Sequence, residues 1–497
     1  MAMQSSAEGL ASALRRWGIG VHPREWRIPP IETYPRVVAF VQTLGGKLVL
    51  FALFALLIKY IGGGVWLWMT AAAAVVSLAG RHRHLAALLC TGVLLGLFPQ
   101  WFEYRAVHIV VRQESLSGML NINYVRAATL LACVPLAVAV LWLARHYRDH
   151  ALGRRPVLAA HLLLLGMLLL SASHLLQGIP QVLLWSLTAV FAAYFWFLGY
   201  GLIDQRRRHP APMLLQLANL HPFFIGATTA PLGKGADNLR SVEAGTAQDL
   251  AVTQLKALKL IAWAFILSVV MWSFRHAVYG ILGVTPIWLS FERFLREGVS
   301  PGPMGALSII ANFFEQLLHM AIWGHSIVAI ARLAGFRLLR NTWRPLSSRT
   351  IAEFWNRYYY YFKELLVNFY FYPTYVRCFK KHPRLRIAFA TFMAAGVGNW
   401  YFHFLLENYR IARDGFGDAL MYMQTYAFYC LLLVGGIVVS QLRGWRPDPN
   451  AGWVRGRFMP SLGVGLFYCL LSFFDGPQRH APLKEHLAFL FQVLGVY

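Results

Sequence analysis

Apolar runs about as long as a lipid bilayer is thick recur from one end of this chain to the other. They fall at residues 36–59, 63–80, 85–102, 123–145, 156–176, 180–203, 259–284, 305–334, 386–408, 418–441 and 457–475. Crossing the ~30 Å hydrocarbon layer takes ~20 mostly apolar residues in a helix. No water reaches that layer, so each run must satisfy its own backbone N–H and C=O groups, as a helix does. The pattern predicts an all-α polytopic integral membrane protein, with about 11 transmembrane helices plus re-entrant or interfacial helices around a central tunnel. The chain is 58% hydrophobic and only 13% charged, where a soluble domain carries about 25% charged residues.

The runs divide the chain. Residues 1–35 form a polar, cytoplasmic N-terminal segment, in which LASALRRWGIG reads as a short amphipathic helix on the membrane surface. No apolar stretch directly follows a charged start, so no cleaved signal peptide is expected. Residues 36–203 hold the N-terminal transmembrane helices, 204–258 a cytoplasmic loop, 259–475 a membrane core and 476–497 a C-terminal segment. In the loop, PLGKGADN contains a GKG but lacks the spacing of a phosphate-binding loop, and we read it as part of a structured connection.

Lys and Arg number 46 against 21 acidic residues, a net charge of +25. In a soluble protein this excess would point to nucleic acid, but no nucleic-acid motif accompanies it. Cytoplasmic loops of membrane proteins collect Lys and Arg, and anionic headgroups attract them. Arg81 and Arg83, then Arg145, Arg148, Arg154 and Arg155, then Arg206, Arg207 and Arg208 follow the second, fourth and sixth runs. The even-numbered loops, and the N-terminus with them, are therefore expected in the cytoplasm, and a bacterial inner membrane is the expected location. By the same count the clusters around Arg344 and Lys380 are both cytoplasmic, so the stretch between them re-enters or pairs rather than crossing once. The five cysteines lie far apart with no zinc-ligand spacing, so neither a disulfide framework nor a metal site is expected.

That stretch, Phe354 to Tyr375, reads FWNRYYYYFKELLVNFYFYPTY, and twelve of its twenty-two residues are aromatic. Thr350 and Glu353 form a capping box that predicts a helix start after Thr350. On one continuous helix Glu353, Arg357, Tyr361, Glu364 and Asn368 would share a face, lining either a buried cavity or an interfacial aromatic belt. A second polar stripe, Asn399, His403 and Glu407, lies inside the 386–408 run at spacings of four. Ionisable groups at membrane depth usually face the protein interior or a wet cavity, and Glu407 is spaced to orient the His403 imidazole. A histidine hydrogen-bonded across helices is the plainer alternative. A third stripe, Asn312, Glu315 and His319, could line the same cavity.

The stretch NTWRPLSSRTIAEFWNRYYYYFKELLVNFYFYP, Asn341 to Pro373, resembles the signature region of the membrane-bound O-acyltransferases, in a divergent bacterial-type form. Phe354, Trp355 and Arg357 match the FW-plus-basic core, and Tyr358 and Tyr359 stand where a Trp-His pair is common. Asn368 matches the later polar position, and His403, thirty-five residues on, matches the family's histidine in an apolar helix. The resemblance implies an O-acyltransferase core over residues 259–475. It would move an acetyl or short acyl group from a thioester, acyl-CoA or acyl carrier protein, to a hydroxyl on an exported glycan, envelope polymer or lipid, with no bound cofactor. On that reading His403 is the general base, in the outer half of the membrane, and Asn368 positions substrate or donates to the oxyanion. Arg357 holds an anionic part of the donor, and Tyr359, Tyr361, Glu364, Asn399, Glu407, Glu315 and His319 line the tunnel. Expected partners are the donor, the acceptor, the bilayer and an envelope-assembly protein. A secondary transporter or flippase for an envelope precursor would also place charges on facing helices at mid-depth, and a non-catalytic scaffold is a third reading.

Overall fold

The computed structural model describes residues 28–102, 104–150, 154–443 and 452–496, so the LASALRRWGIG stretch lies outside the described residues. Among those described, the chain is helical throughout, with a single isolated antiparallel bridge between Glu243 and Phe336. Among the described residues six helices are long and apolar enough to cross a membrane: Leu44–Gly62, Ile122–His146, Ile179–Asp204, Ala247–Ile281, Gly302–Leu333 and Gln424–Leu442. The protein is thus a helical, multi-pass membrane protein.

Six such helices, rather than eleven, stand out because local chemistry cuts the other apolar runs short. Thr43 ends one helix and starts the next, its hydroxyl accepting the Gly46 N–H at 3.0 Å, so the first run begins in the separate helix Pro35–Gln42. Gly64–Leu78 and Pro156–Ala172 are apolar but shorter. The 386–408 run is divided into Pro383–Thr391, a π-helical turn Phe392–Gly398 and Asn399–Leu406. Of the six, Ile179–Asp204 is the central one, with 72% of its apolar window buried against 11% for Ile122–His146. Ala247–Arg275 and Gly302–Leu333 pack along each other.

Thr350 does cap the aromatic segment: its hydroxyl accepts the Glu353 N–H at 3.1 Å, and the Glu353 carboxylate accepts the Arg349 N–H at 2.7 Å. The helix lasts only from Ile351 to Tyr358, because Tyr359 takes the non-helical φ −139°, ψ 79°, and a new helix runs Tyr360–Leu366. A break in a buried helix leaves backbone groups that must find new partners within the protein. Here the segment Asn341–Trp343 takes them. The Asn341 carbonyl accepts the Tyr360 N–H at 2.9 Å and its side-chain oxygen the Tyr361 N–H at 3.3 Å. The Trp343 N–H donates to the Arg357 carbonyl at 2.8 Å, and the Thr342 hydroxyl to that of Tyr358 at 2.8 Å. The expectation of one helix with one polar face from Glu353 to Asn368 is therefore overturned: the break turns the two halves of the stripe to different neighbours.

Beyond Leu366 a π-helical turn, Val367–Phe371, packs against the π turn of the His403 helix. Gly398 lets them meet, since a Cβ there would lie 2.4 Å from the Tyr370 ring.

The 204–258 loop is built. Asp204 accepts the Asp237 N–H at 3.0 Å, Asp237 accepts the Ala211 N–H at 2.5 Å, and Arg240 donates to the carbonyls of His209 and Pro210. Lys234, the lysine of GKG, reaches out of the loop to Glu364 at 2.6 Å. His221 is buried beside Trp101 and Tyr194 with both ring nitrogens unbonded.

Two outcomes are expected. Replacing Asn341 with Ala strands the buried Tyr361 N–H and costs about 1–3 kcal/mol, read from unfolding in detergent. Burial pushes His221 down to about 4, whereas an unfolded histidine titrates near 6.5. Acidification then protonates the unfolded chain first, so stability falls between about pH 6.5 and pH 4, by up to ~3 kcal/mol. His221→Phe should flatten that part of a thermal-stability profile.

Candidate functional site

His403 sits on Asn399–Leu406, the helix that follows the π turn Phe392–Gly398. Its ring lies 4.5 Å from that of Tyr426, tilted, and 5.8 Å edge-on from Phe362 of the aromatic segment. Asn399, one turn back and fully buried, accepts the Tyr426 hydroxyl at 3.0 Å. Two buried atoms on this face have no hydrogen-bond partner: His403 Nδ1 and Asn399 Nδ2. An unpaired buried polar atom costs free energy, so it is a natural place for a ligand atom to bind.

Glu407 does not orient His403. Its carboxylate accepts from Arg410 Nε at 2.8 Å and from Arg479 at 3.2 Å, with His480 at 3.6 Å. Burial, with Arg479 and Arg410 alongside, outweighs Glu407 and holds His480 down to about 4, so at neutral pH it adds no charge to this group. Arg479 also faces Asp475 at 3.6 Å and lies 5.4 Å above the Tyr426 ring. The physical reason is charge: a buried carboxylate is satisfied best by cations, and two guanidiniums from outside the stripe reach it first.

Asn368 lies in the π turn Val367–Phe371 and donates to the Tyr200 hydroxyl at 3.2 Å, on the central helix. The described contacts of Asn368 and His403 share no residue. The rings of Phe369, Trp196 and Phe402 link the two positions, at 5.3 Å and 6.1 Å between successive centroids. The remaining expected tunnel residues are engaged separately. Arg357 pairs with Glu353 at 2.5 Å, donates to Ser347 at 2.7 Å and covers the Trp343 ring. Tyr359 packs on Trp323 and Phe362, and the Tyr361 hydroxyl donates to the Leu339 carbonyl at 3.2 Å. Glu364 is clamped between Lys234 and Lys363.

The third stripe is not brought to His403. Glu315 accepts from Arg275 Nε and from the Tyr279 hydroxyl, each at 2.7 Å, whereas His319 is exposed on the outer face of Gly302–Leu333. Two cavities, of about 630 Å³ and 660 Å³, are lined by neither His403 nor Asn368.

Several residues at the site were not singled out from sequence. His161 bonds Val157 O at 2.7 Å and the Tyr370 hydroxyl at 3.2 Å, and stacks on Tyr401. A lone histidine inside HLLLLGMLLL was its signal. Arg479 lies in the C-terminal segment, where GPQRH interrupts apolar sequence. Lys234 was noted only as the lysine of GKG, and Tyr200 carried no signal beyond its residue type.

The chain matches no family model, and no curated protein matches it significantly.

Removing the Glu407 carboxylate leaves the buried Arg410 without its counter-charge and Arg479 with only Asp475, at 3.6 Å. Glu407→Ala should therefore cost about 3–5 kcal/mol in detergent unfolding, the usual penalty for breaking a buried pair.

Proposed function

We propose that this protein is a membrane-embedded O-acyltransferase, related in chemistry to the membrane-bound O-acyltransferases, with His403 as its general base. One observation carries the reading: the imidazole packs against Phe362 of the aromatic segment with Nδ1 buried and unbonded, next to an equally unbonded Asn399 Nδ2. A base and a hydrogen-bond donor one helical turn apart are what attack on a thioester requires. The hydroxyl oxygen bonds to the carbonyl carbon as its proton passes to the imidazole. The C–S bond then breaks, and the imidazolium returns the proton to the departing thiolate. Asn399 Nδ2 is the donor for the transient oxyanion. Asn368, held by Tyr200 beyond the Trp196 rings, instead positions a more distant part of the substrate. The aromatic packing excludes water that would hydrolyse the thioester.

The donor is acyl-CoA or acyl carrier protein and the acceptor a hydroxyl on an exported glycan, envelope polymer or lipid, in a bacterial inner membrane with the N-terminus cytoplasmic and about eleven crossings, counting the interrupted runs. Lys234 ties down Glu364, and His161, a few residues beyond Arg155, ties down Tyr370. Both anchors adjoin loops expected on the cytoplasmic side, which supports re-entry of the aromatic segment. Phe402 packs on Trp196, eight residues or roughly 12 Å from the end of the central helix, which supports a mid-depth His403 over one in the outer half.

Purified protein with radiolabelled acetyl-CoA or longer acyl donors and candidate acceptors should transfer label. His403→Ala should lower the rate ~10²–10⁴-fold with unfolding in detergent unchanged, and Asn399→Ala should lower it more than Asn368→Ala. Full activity in the His403 variant would remove the base assignment, and solute uptake into liposomes without acyl transfer would favour a transporter.

A further inference from the structure

The cavity of about 630 Å³ lies between Ala247–Arg275, Gly302–Leu333 and the segment that follows the latter. Its two ends differ in chemistry. At one are Lys259, His325, Arg340 and Arg344. At the other are Leu267, Val270, Phe274 and Phe314. Lys259 is neutralised by Glu32 at 2.7 Å. Among the described residues neither Arg340 nor Arg344 has a carboxylate within ion-pair distance. His325 is only 7% exposed, and its Nδ1 is buried with no hydrogen-bond partner. Arg344 holds φ at +49°, a left-handed conformation uncommon for a non-glycine residue and often found at ligand sites.

The apolar end opens sideways. Val270 is 46% exposed and Phe314 39%, on helix faces that the membrane reading turns toward lipid. From Lys259 to Phe274 the helix rises roughly 22 Å, more than the ~15 Å of one hydrocarbon leaflet. A slot that starts at unpaired guanidiniums and runs down a leaflet fits one class of molecule: an anionic head joined to an acyl chain. Guanidinium groups match phosphate oxygens in geometry as well as charge, and the unbonded His325 Nδ1 adds a further hydrogen-bonding partner.

We propose that this cavity is a binding site for an anionic phospholipid entering from the leaflet that faces the Arg340 segment, its phosphate held by Arg340 and Arg344 and its acyl chain laid along Leu267, Val270 and Phe274. The site is separate from His403 and does not depend on the acyl-transfer reading. It gives the protein a lipid ligand that can brace its two longest helices against each other.

The test is native mass spectrometry of the full-length protein in detergent, titrated with palmitoyl-oleoyl phosphatidylglycerol, with phosphatidylcholine of the same chains, with acetyl-CoA and palmitoyl-CoA, and with inorganic phosphate. Phosphatidylglycerol should bind at least ten-fold more tightly than phosphatidylcholine. Arg340→Gln/Arg344→Gln should weaken it at least ten-fold. Val270→Trp, a lipid-facing change that leaves every charge in place, should weaken phosphatidylglycerol by filling the slot. His403→Ala should leave it unchanged. Equal retention of the two lipids, or unaltered phosphatidylglycerol binding in both cavity variants, would overturn the proposal. So would binding of palmitoyl-CoA in preference to the lipid, or competition by inorganic phosphate as strong as that by phosphatidylglycerol.

Discussion

The fold is governed by the need to pair every backbone polar group where water does not reach. Most of the chain meets that need with unbroken helix. The aromatic segment does not: at Tyr359 the helix stops, and the groups it releases are taken by Asn341, Thr342 and Trp343. Irregular backbone away from water survives only when its polar groups find partners in the protein. The consequence is geometric. Glu353 and Arg357 stay with Ser347 and Trp343, while Glu364 turns to Lys234 and Asn368 to Tyr200. The break is thus what distributes the segment's polar side chains among separate elements of the bundle.

Charge follows the same logic. Glu407 holds Arg410 and Arg479, Glu315 holds Arg275, and Glu243 holds Arg83 and His84. Taking these groups out of water is expensive, and each pair offsets that cost only through close hydrogen-bonded contact. Such pairs join distant parts of the chain: Glu407 to the C-terminal segment, Glu243 to the loop after the second apolar run. Against this background the unbonded atoms of His403, Asn399 and His325 stand out, since they bear the cost of burial without a partner.

Much of this was legible in the sequence. The helical, membrane-spanning class follows from apolar runs of bilayer length, and the helix start at Thr350 follows from its capping box, because both depend on residues close together in the chain. The spacing of Asn399, His403 and Glu407 on one face was legible for the same reason. The partners of Glu407 were misjudged. A four-residue spacing made His403 the candidate, but Arg410, three residues on, and Arg479, far along the chain, win because an opposite charge satisfies a buried carboxylate better than a neutral ring does. The stripe through Glu364 and Asn368 was misjudged because a single residue, Tyr359, leaves the helix for reasons set by Asn341.

The sequence by itself determined that the chain enters the membrane as helices, where several of them start, and which ionisable residues would be costly to bury. Those properties arise from hydrogen bonds and hydrophobic transfer within some twenty consecutive residues. Tertiary structure alone decided that His403 meets Phe362 and Tyr426, that Lys234 anchors the aromatic segment, and that Arg340 and Arg344 share one cavity with Lys259. Each of these joins residues far apart in sequence, and only the packing of whole helices against one another brings them within reach.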